Sequence, residues 1–117
     1  MVEIKVNIKK DVLCTSLSGE LDHHTAKEVK DLIEEVIKNQ KIKHLLFDFS
    51  HLSFMDSSGI GVIVGRYKLI KSLGGQVVIS GAAGNIKKLL YMSGIDKIIK
   101  SFDNEDDAYK SLEEGIF

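Results

Sequence analysis

The chain has 117 residues, enough for one hydrophobic core and not for two. Its formal net charge of −1, with lysines spread along the chain, gives no electrostatic drive toward nucleic acid or an anionic membrane surface. A single cysteine, Cys14, excludes an internal disulfide and a cysteine-rich metal site and fits a reducing cytoplasm. Apolar runs such as Ile60 to Val64 are far too short to span a bilayer, and the N-terminus lacks the apolar core of a signal peptide.

Val2, Ile4, Val6 and Ile8 alternate with polar residues, the period of a half-buried strand. After the polar turn Lys9-Lys10-Asp11, Val12 to Leu17 reads as a second strand, so the chain opens with a hairpin. Gly19-Glu20-Leu21-Asp22 is expected to be a loop. A helix is expected from His24 to Asn39, with Ala26, Val29, Leu32, Ile33, Val36 and Ile37 on one face and Asp22 or Thr25 as its cap. Leu45 to Phe49 is apolar enough for a central strand covered on both faces. Ser50 to Ser57 reads as a loop that opens into a second helix, which Gly74-Gly75 stops. Gln76 to Ser80 is a fourth strand, Gly81 to Gly84 a loop, Asn85 to Met92 a short helix and Lys97 to Phe102 a fifth strand. Asn104 caps a last helix whose early acids, Glu105, Asp106 and Asp107, complement its dipole.

The order is ββαβαβαβα, a small α/β domain over residues 1–117 with a mixed sheet. Sites in open sheets form at the carboxyl ends of strands. The loops at 19–22, 50–57 and 81–84 are therefore expected to converge on one rim.

Phe54-Met55-Asp56-Ser57-Ser58-Gly59 holds two hydroxyls and a carboxylate where a strand end meets a helix N-terminus. The first amides of a helix lack intrahelical partners and the dipole is positive there, so an anion is welcome, including one attached to a serine. The same pattern also reads as a plain N-cap by Asp56 or Ser57. Gly59, Gly61 and Gly65 fit neither a dinucleotide fingerprint nor a phosphate loop. Gly61 and Gly65, four apart, read as a face that lets a neighbouring element approach, and Gly59 as keeping the surface around the serines flat. A nucleophile elbow needs glycines two residues either side of the serine, and only Gly59 fits, beside Ser57. His23 and His24 are adjacent and do not form a ligand pair, and His44 and His51 lack partners at ligand spacing. Asp48 lies inside an apolar strand without an identifiable acid or base partner, and Arg66-Tyr67-Lys68 reads as a solvated helix face. No catalytic residue, metal ligand or cofactor site is assigned.

Taken together, Gly19-Glu20-Leu21-Asp22, Phe54 to Val62, Gly65-Arg66-Tyr67-Lys68 and Met92-Ser93-Gly94-Ile95 resemble the STAS domain of bacterial anti-sigma factor antagonists, most nearly the sporulation branch of the SpoIIAA type. The resemblance runs the length of the chain in order. It implies a cytoplasmic partner-switching protein in transcription regulation rather than an enzyme, with no cofactor, no direct nucleic acid contact and no membrane contact. Members bind an anti-sigma factor that is also a serine kinase and so free the sigma factor. The kinase phosphorylates a serine at the start of the second helix, the complex dissociates, and a metal-dependent serine phosphatase resets the cycle. The resemblance maps the phosphoacceptor onto Ser58, with Ser57 as the alternative. It maps partner contacts onto Glu20, Leu21 and Asp22 in one loop and onto Asp56, Ser57, Gly59, Ile60 and Gly61 in the other. Local chemistry leans the same way, with Ser57 expected as the N-cap and Ser58 at the first helical position, projecting outward. Two other classes fit the pattern: a STAS scaffold subunit of a signalling assembly, and a ligand- or nucleotide-binding domain that uses the helix N-terminus as an anion site.

Overall fold

The alternating N-terminal segment forms β1 (Val2–Lys9), paired antiparallel with β2 (Val12–Leu21) through a tight turn in which Lys10 takes a positive φ of 56°. The structure is a computed structural model and describes residues 1–115. After β2 come α1 (Ala26–Asn39), β3 (His44–Met55), α2 (Ser57–Ser72), β4 (Val77–Ser80), α3 (Gly84–Ser93), a 3-10 turn (Ile95–Lys97), β5 (Lys100–Phe102) and α4 (Glu105–Glu114). The expected ββαβαβαβα order holds, and the fifth strand is shorter than expected because the 3-10 turn takes up its start.

The five strands lie in the order in which they occur, β1-β2-β3-β4-β5, and every pair after the first is parallel. With a monotonic order, right-handed crossovers put successive helices on the same face. Val29 and Ile33 of α1, Ile63 and Ile70 of α2 and Leu90 of α3 accordingly share one core with Leu13, Leu17, Leu45, Phe47 and Ile79. The opposite face carries a smaller core in which Ala108 and Leu112 of α4 cover Val12, Cys14, Leu46 and Val78. Strand β3 is thus buried on both faces along Leu45 to Phe49, as its composition demands.

Asp48 sits where the cover of α4 gives way to polar residues. Its carboxylate accepts the hydroxyls of Ser16 at 2.8 Å and of Ser50 and Ser80 at 3.1 Å each, and the Ser50 amide at 3.2 Å. Burial pushes its pKa up, but these donors outweigh burial and hold the carboxyl below the usual range.

Two expected loops are strand instead. Gly19 lies inside β2 at φ 94°, beside a register irregularity, where a side chain would collide with the Met1 carbonyl oxygen. Glycine there marks close backbone approach rather than a chain reversal. Strand β3 runs on to Met55, pairing Gly19 with Leu52 and Leu21 with Met55. The serines and His51 in this stretch suggest a loop because one side faces solvent, while Leu52 and Met55 point into the core.

The third expected loop does not join the other two. Strand β4 stops at Ser80, opposite Asp48, while β2 and β3 continue beyond it as a two-stranded ribbon. Residues 81–83 stay back at the level of Ser50, so tightly that a Cβ on Gly81 would lie 2.9 Å from the Ser50 backbone. The expected three-loop rim is a two-loop rim, built where β2 and β3 end together.

Candidate functional site: the paired strand ends and the start of α2

Leu21 and Met55 end their strands side by side, and an aspartate follows each. The Asp56 amide donates to the Leu21 carbonyl at 3.3 Å, which ties the two exits together. Asp22 turns the chain into α1 by accepting the His24 amide at 2.9 Å and the Thr25 amide at 3.2 Å. Partial desolvation raises its pKa, but the His24 and Thr25 amides and the Thr25 hydroxyl outweigh this and hold the carboxyl below the usual range. Thr25, at the N-cap position of α1, makes no side-chain bond to the helix; its hydroxyl donates to the Glu20 carbonyl at 2.8 Å and accepts the Asp22 amide at 3.0 Å. The turn is therefore locked to the end of β2. His23, exposed, brings Nδ1 to 3.9 Å from the Asp56 carboxylate and links the two loops when protonated.

Asp56 caps α2. Its backbone is extended, its Oδ1 accepts the Ser58 amide at 2.8 Å, and its carbonyl takes the Gly59 amide at 3.0 Å. This corrects the expected frame by one residue: Ser57 is the first helical residue, exposed, and Ser58 the second, half-buried. A carboxylate makes the stronger, charge-assisted acceptor and adds charge that the dipole favours, so it takes the cap ahead of the hydroxyl that follows. Neither serine hydroxyl is hydrogen-bonded to a partner among the described residues.

The residues assigned to the contact surface divide into two groups. Glu20, Asp22, Asp56, Ser57, Ile60 and Gly61 reach the surface to differing degrees, and Glu20 pairs with the N-terminal amine at 3.3 Å. Leu21 is fully buried and Gly59 is buried, so both act beneath the surface. A Cβ on Gly59 would sit 2.5 Å from Met55 Cγ and 3.1 Å from Leu21. Gly59 therefore lets the first turn of α2 rest on the two strand ends, rather than flattening the surface around the serines. Gly61 and Gly65 show the reverse: a Cβ at either would meet nothing within 4 Å. They are not packing contacts, and they leave the outer face of α2 open.

Arg66 overturns its expected place on a solvated face. It is 7% exposed and pairs through Nη2 with Glu34 of α1 at 3.2 Å, while Nε and Nη1 are buried without a partner among the described residues. The signal available in the sequence is that Val62, Ile63, Leu69 and Ile70 lie three or four residues to either side of Arg66 and place it on the apolar stripe.

The STAS domain model matches residues 3–108. The chain belongs to the STAS domain family. This STAS domain is 42% identical over 112 residues to an anti-sigma F factor antagonist from Paenibacillus polymyxa, covering 96% of each chain. Its fold matches the anti-sigma factor antagonist SpoIIAA in the unphosphorylated form with a TM-score of 0.76 and 23% identity, covering 97% of this chain and 100% of the other. It matches the Bacillus cell fate determinant SpoIIAA in the phosphorylated form with a TM-score of 0.75 and 24% identity, covering 94% and 99%. Among the described residues of this STAS domain, no helix is long and apolar enough to cross a membrane.

Proposed function

We propose that this STAS domain is an anti-sigma factor antagonist: a docking surface for an anti-sigma factor, switched off by phosphorylation of Ser58. The observation that carries the reading is the cap. Because Asp56 holds the Ser58 amide, the serine backbone is fixed at the helix N-terminus while both hydroxyls stay without partners among the described residues. A hydroxyl held in place and unengaged is what a kinase needs from its substrate. The similarity to the Paenibacillus antagonist over nearly the whole chain supports the choice of partner.

The division of labour follows from the chemistry. The anti-sigma factor, acting as a serine kinase, supplies nucleotide and metal and transfers the γ-phosphoryl of ATP to Ser58 Oγ, which gives up its proton. A metal-dependent phosphatase removes the group. The STAS domain supplies the hydroxyl and the surface formed by Glu20, Asp22, Asp56, Ile60 and Gly61, in the cytoplasm where a sigma factor is held. Phosphorylation adds nearly two negative charges close to Asp56 and Asp22. In the free domain water and the helix dipole offset them. In an interface the dianion must be desolvated, and leaving a buried ion unpaired costs several kcal/mol. A loss of about 3 kcal/mol weakens binding more than a hundredfold, which is sufficient for a switch without a change of fold.

The test is intact mass and fragmentation after incubation with the cognate anti-sigma kinase and ATP. One added phosphoryl group at Ser58 is expected. Label at Ser57 would move the site by one residue, and label on neither serine would overturn the reading.

A further inference from the structure

A cleft of about 290 Å³ runs between α1 and α2 beside Ser58, lined by Lys27 and Lys30 from one helix and by Ser58, Gly61 and Arg66 from the other. Its charge is unusual for a nearly neutral chain. The Arg66 guanidinium is buried at its wall, with one nitrogen on Glu34 and two nitrogens without an acceptor among the described residues. Both of those nitrogens are shut off from solvent, so Arg66 acts on the cleft through its positive charge rather than by direct contact. Lys27 is paired with Asp31, whereas Lys30 has no ion-pair partner among the described residues. Asp31 and Glu34 thus offset part of the positive charge of the cleft and leave an excess at Lys30. At the mouth, Gly61 has open space where a side chain would stand.

The geometry points to this cleft as the resting place of the phosphoryl group on Ser58, held by the ammonium groups of Lys30 and Lys27 over the buried charge of Arg66. The inference rests on Ser58 being the phosphoacceptor. Two forces act in the same direction: Asp56 and Asp22 repel the dianion from the strand ends, and the cleft draws it between the helices. Lysine suits the task because its charge rides on a flexible stem that can reach a phosphate without a fixed geometry. A phosphoryl group lodged there lies over Gly61 and covers the open face of α2. Phosphorylation then blocks the docking surface by occupying it, in addition to charging it.

The experiment uses the full chain with phosphoserine encoded genetically at position 58 or, as the control, at position 57. The second ionisation of the phosphate is followed by phosphorus NMR. The position-58 midpoint is expected about half a pH unit or more below the position-57 midpoint, and Lys27→Met/Lys30→Met should abolish the difference. The Arg66 Nε–H resonance should shift with phosphoserine at 58 and stay unmoved with phosphoserine at 57. A midpoint at 58 that ignores the two lysines, with an unmoved Arg66 signal, would overturn the proposal. No kinase takes part, so failure here leaves the functional reading standing, and absence of label on Ser58 in the kinase assay sinks that reading separately.

Discussion

The carboxylate of Asp56 accepts the amide of Ser58 at 2.8 Å, and this one bond sets the frame of the second helix and the position of both serines. Removing it should be measurable. Asp56→Ala is expected to lower stability by about 1 kcal/mol, the usual worth of an N-cap, and the thermal midpoint by about 4 °C or more. Asp56→Asn should keep most of that stability, since the amide oxygen can accept the same bond. Equal midpoints for wild type and the alanine variant would contradict the cap.

Gly59 and Gly61 are two residues apart and should respond in opposite ways. Gly59→Ala places a methyl against Met55 and Leu21 and should lower stability by about 1–3 kcal/mol, as overpacking does. Gly61→Asp meets open space and should leave the fold near wild-type stability while weakening association with the anti-sigma factor. Denaturant melts and calorimetric titration of the partner separate the two. A Gly61→Asp variant that binds with unchanged affinity would remove this part of α2 from the interface.

Much of this architecture was legible in the sequence because it depends on periodicity. Val2 to Ile8 alternates, Val29, Ile33 and Ile37 recur at helical spacing, and Asn104 caps α4 by accepting the Asp107 amide as expected. What could not be read depended on neighbours. The serines of β3 look like a loop until β2 is seen to run beside them, and Gly19 looks like a turn until Met1 is seen to fill the space of its side chain. Capping by Ser57 and capping by Asp56 are both chemically sound, and only the backbone chooses between them. Arg66 is buried and pairs with Glu34, which lies far from it in the sequence and on another helix.

Asp48 should make stability depend on acid. Its folded pKa is lowered, so the stabilisation it gives is complete above the unfolded carboxyl pKa of about 3.9 and is lost as pH falls through the lower folded value. Asp48→Asn should therefore be less stable than wild type by about 1–3 kcal/mol at pH 7, since hydrogen bonds to a charged group are the stronger kind. The gap should narrow below about pH 4, and urea melts across that range test it. A gap that is constant from pH 7 to pH 3 would show that the carboxylate charge contributes nothing.

Cys14 lies under α4, and burial pushes its thiol up to about 11. A raised thiol pKa stabilises the fold below the unfolded value of about 8.5, and that contribution is lost as pH climbs through the folded value. The folded domain should react slowly with a disulfide reagent at pH 8 and rapidly once denatured. Fast labelling of the native protein would mean that α4 leaves this face of the sheet readily.

Ser58 offers the decisive comparison. Ser58→Ala removes one hydroxyl at the second helical position, where alanine is well tolerated, so fold and partner binding should persist while switching is lost. Ser58→Asp adds one negative charge against nearly two for phosphate, so it should mimic the modified state incompletely. The same charge lies in the first turn of α2, where the dipole favours it, and stability should stay level or rise by a few tenths of a kcal/mol. Calorimetry with the anti-sigma kinase and nucleotide is expected to rank wild type and alanine tightest, aspartate weaker and phosphoserine weakest. The interval between wild type and phosphoserine should exceed a hundredfold, or about 3 kcal/mol. Equal affinity for the phosphorylated and unmodified chains would eliminate Ser58 as the switch, because neither charge nor occupation of the α1–α2 cleft would then reach the interface.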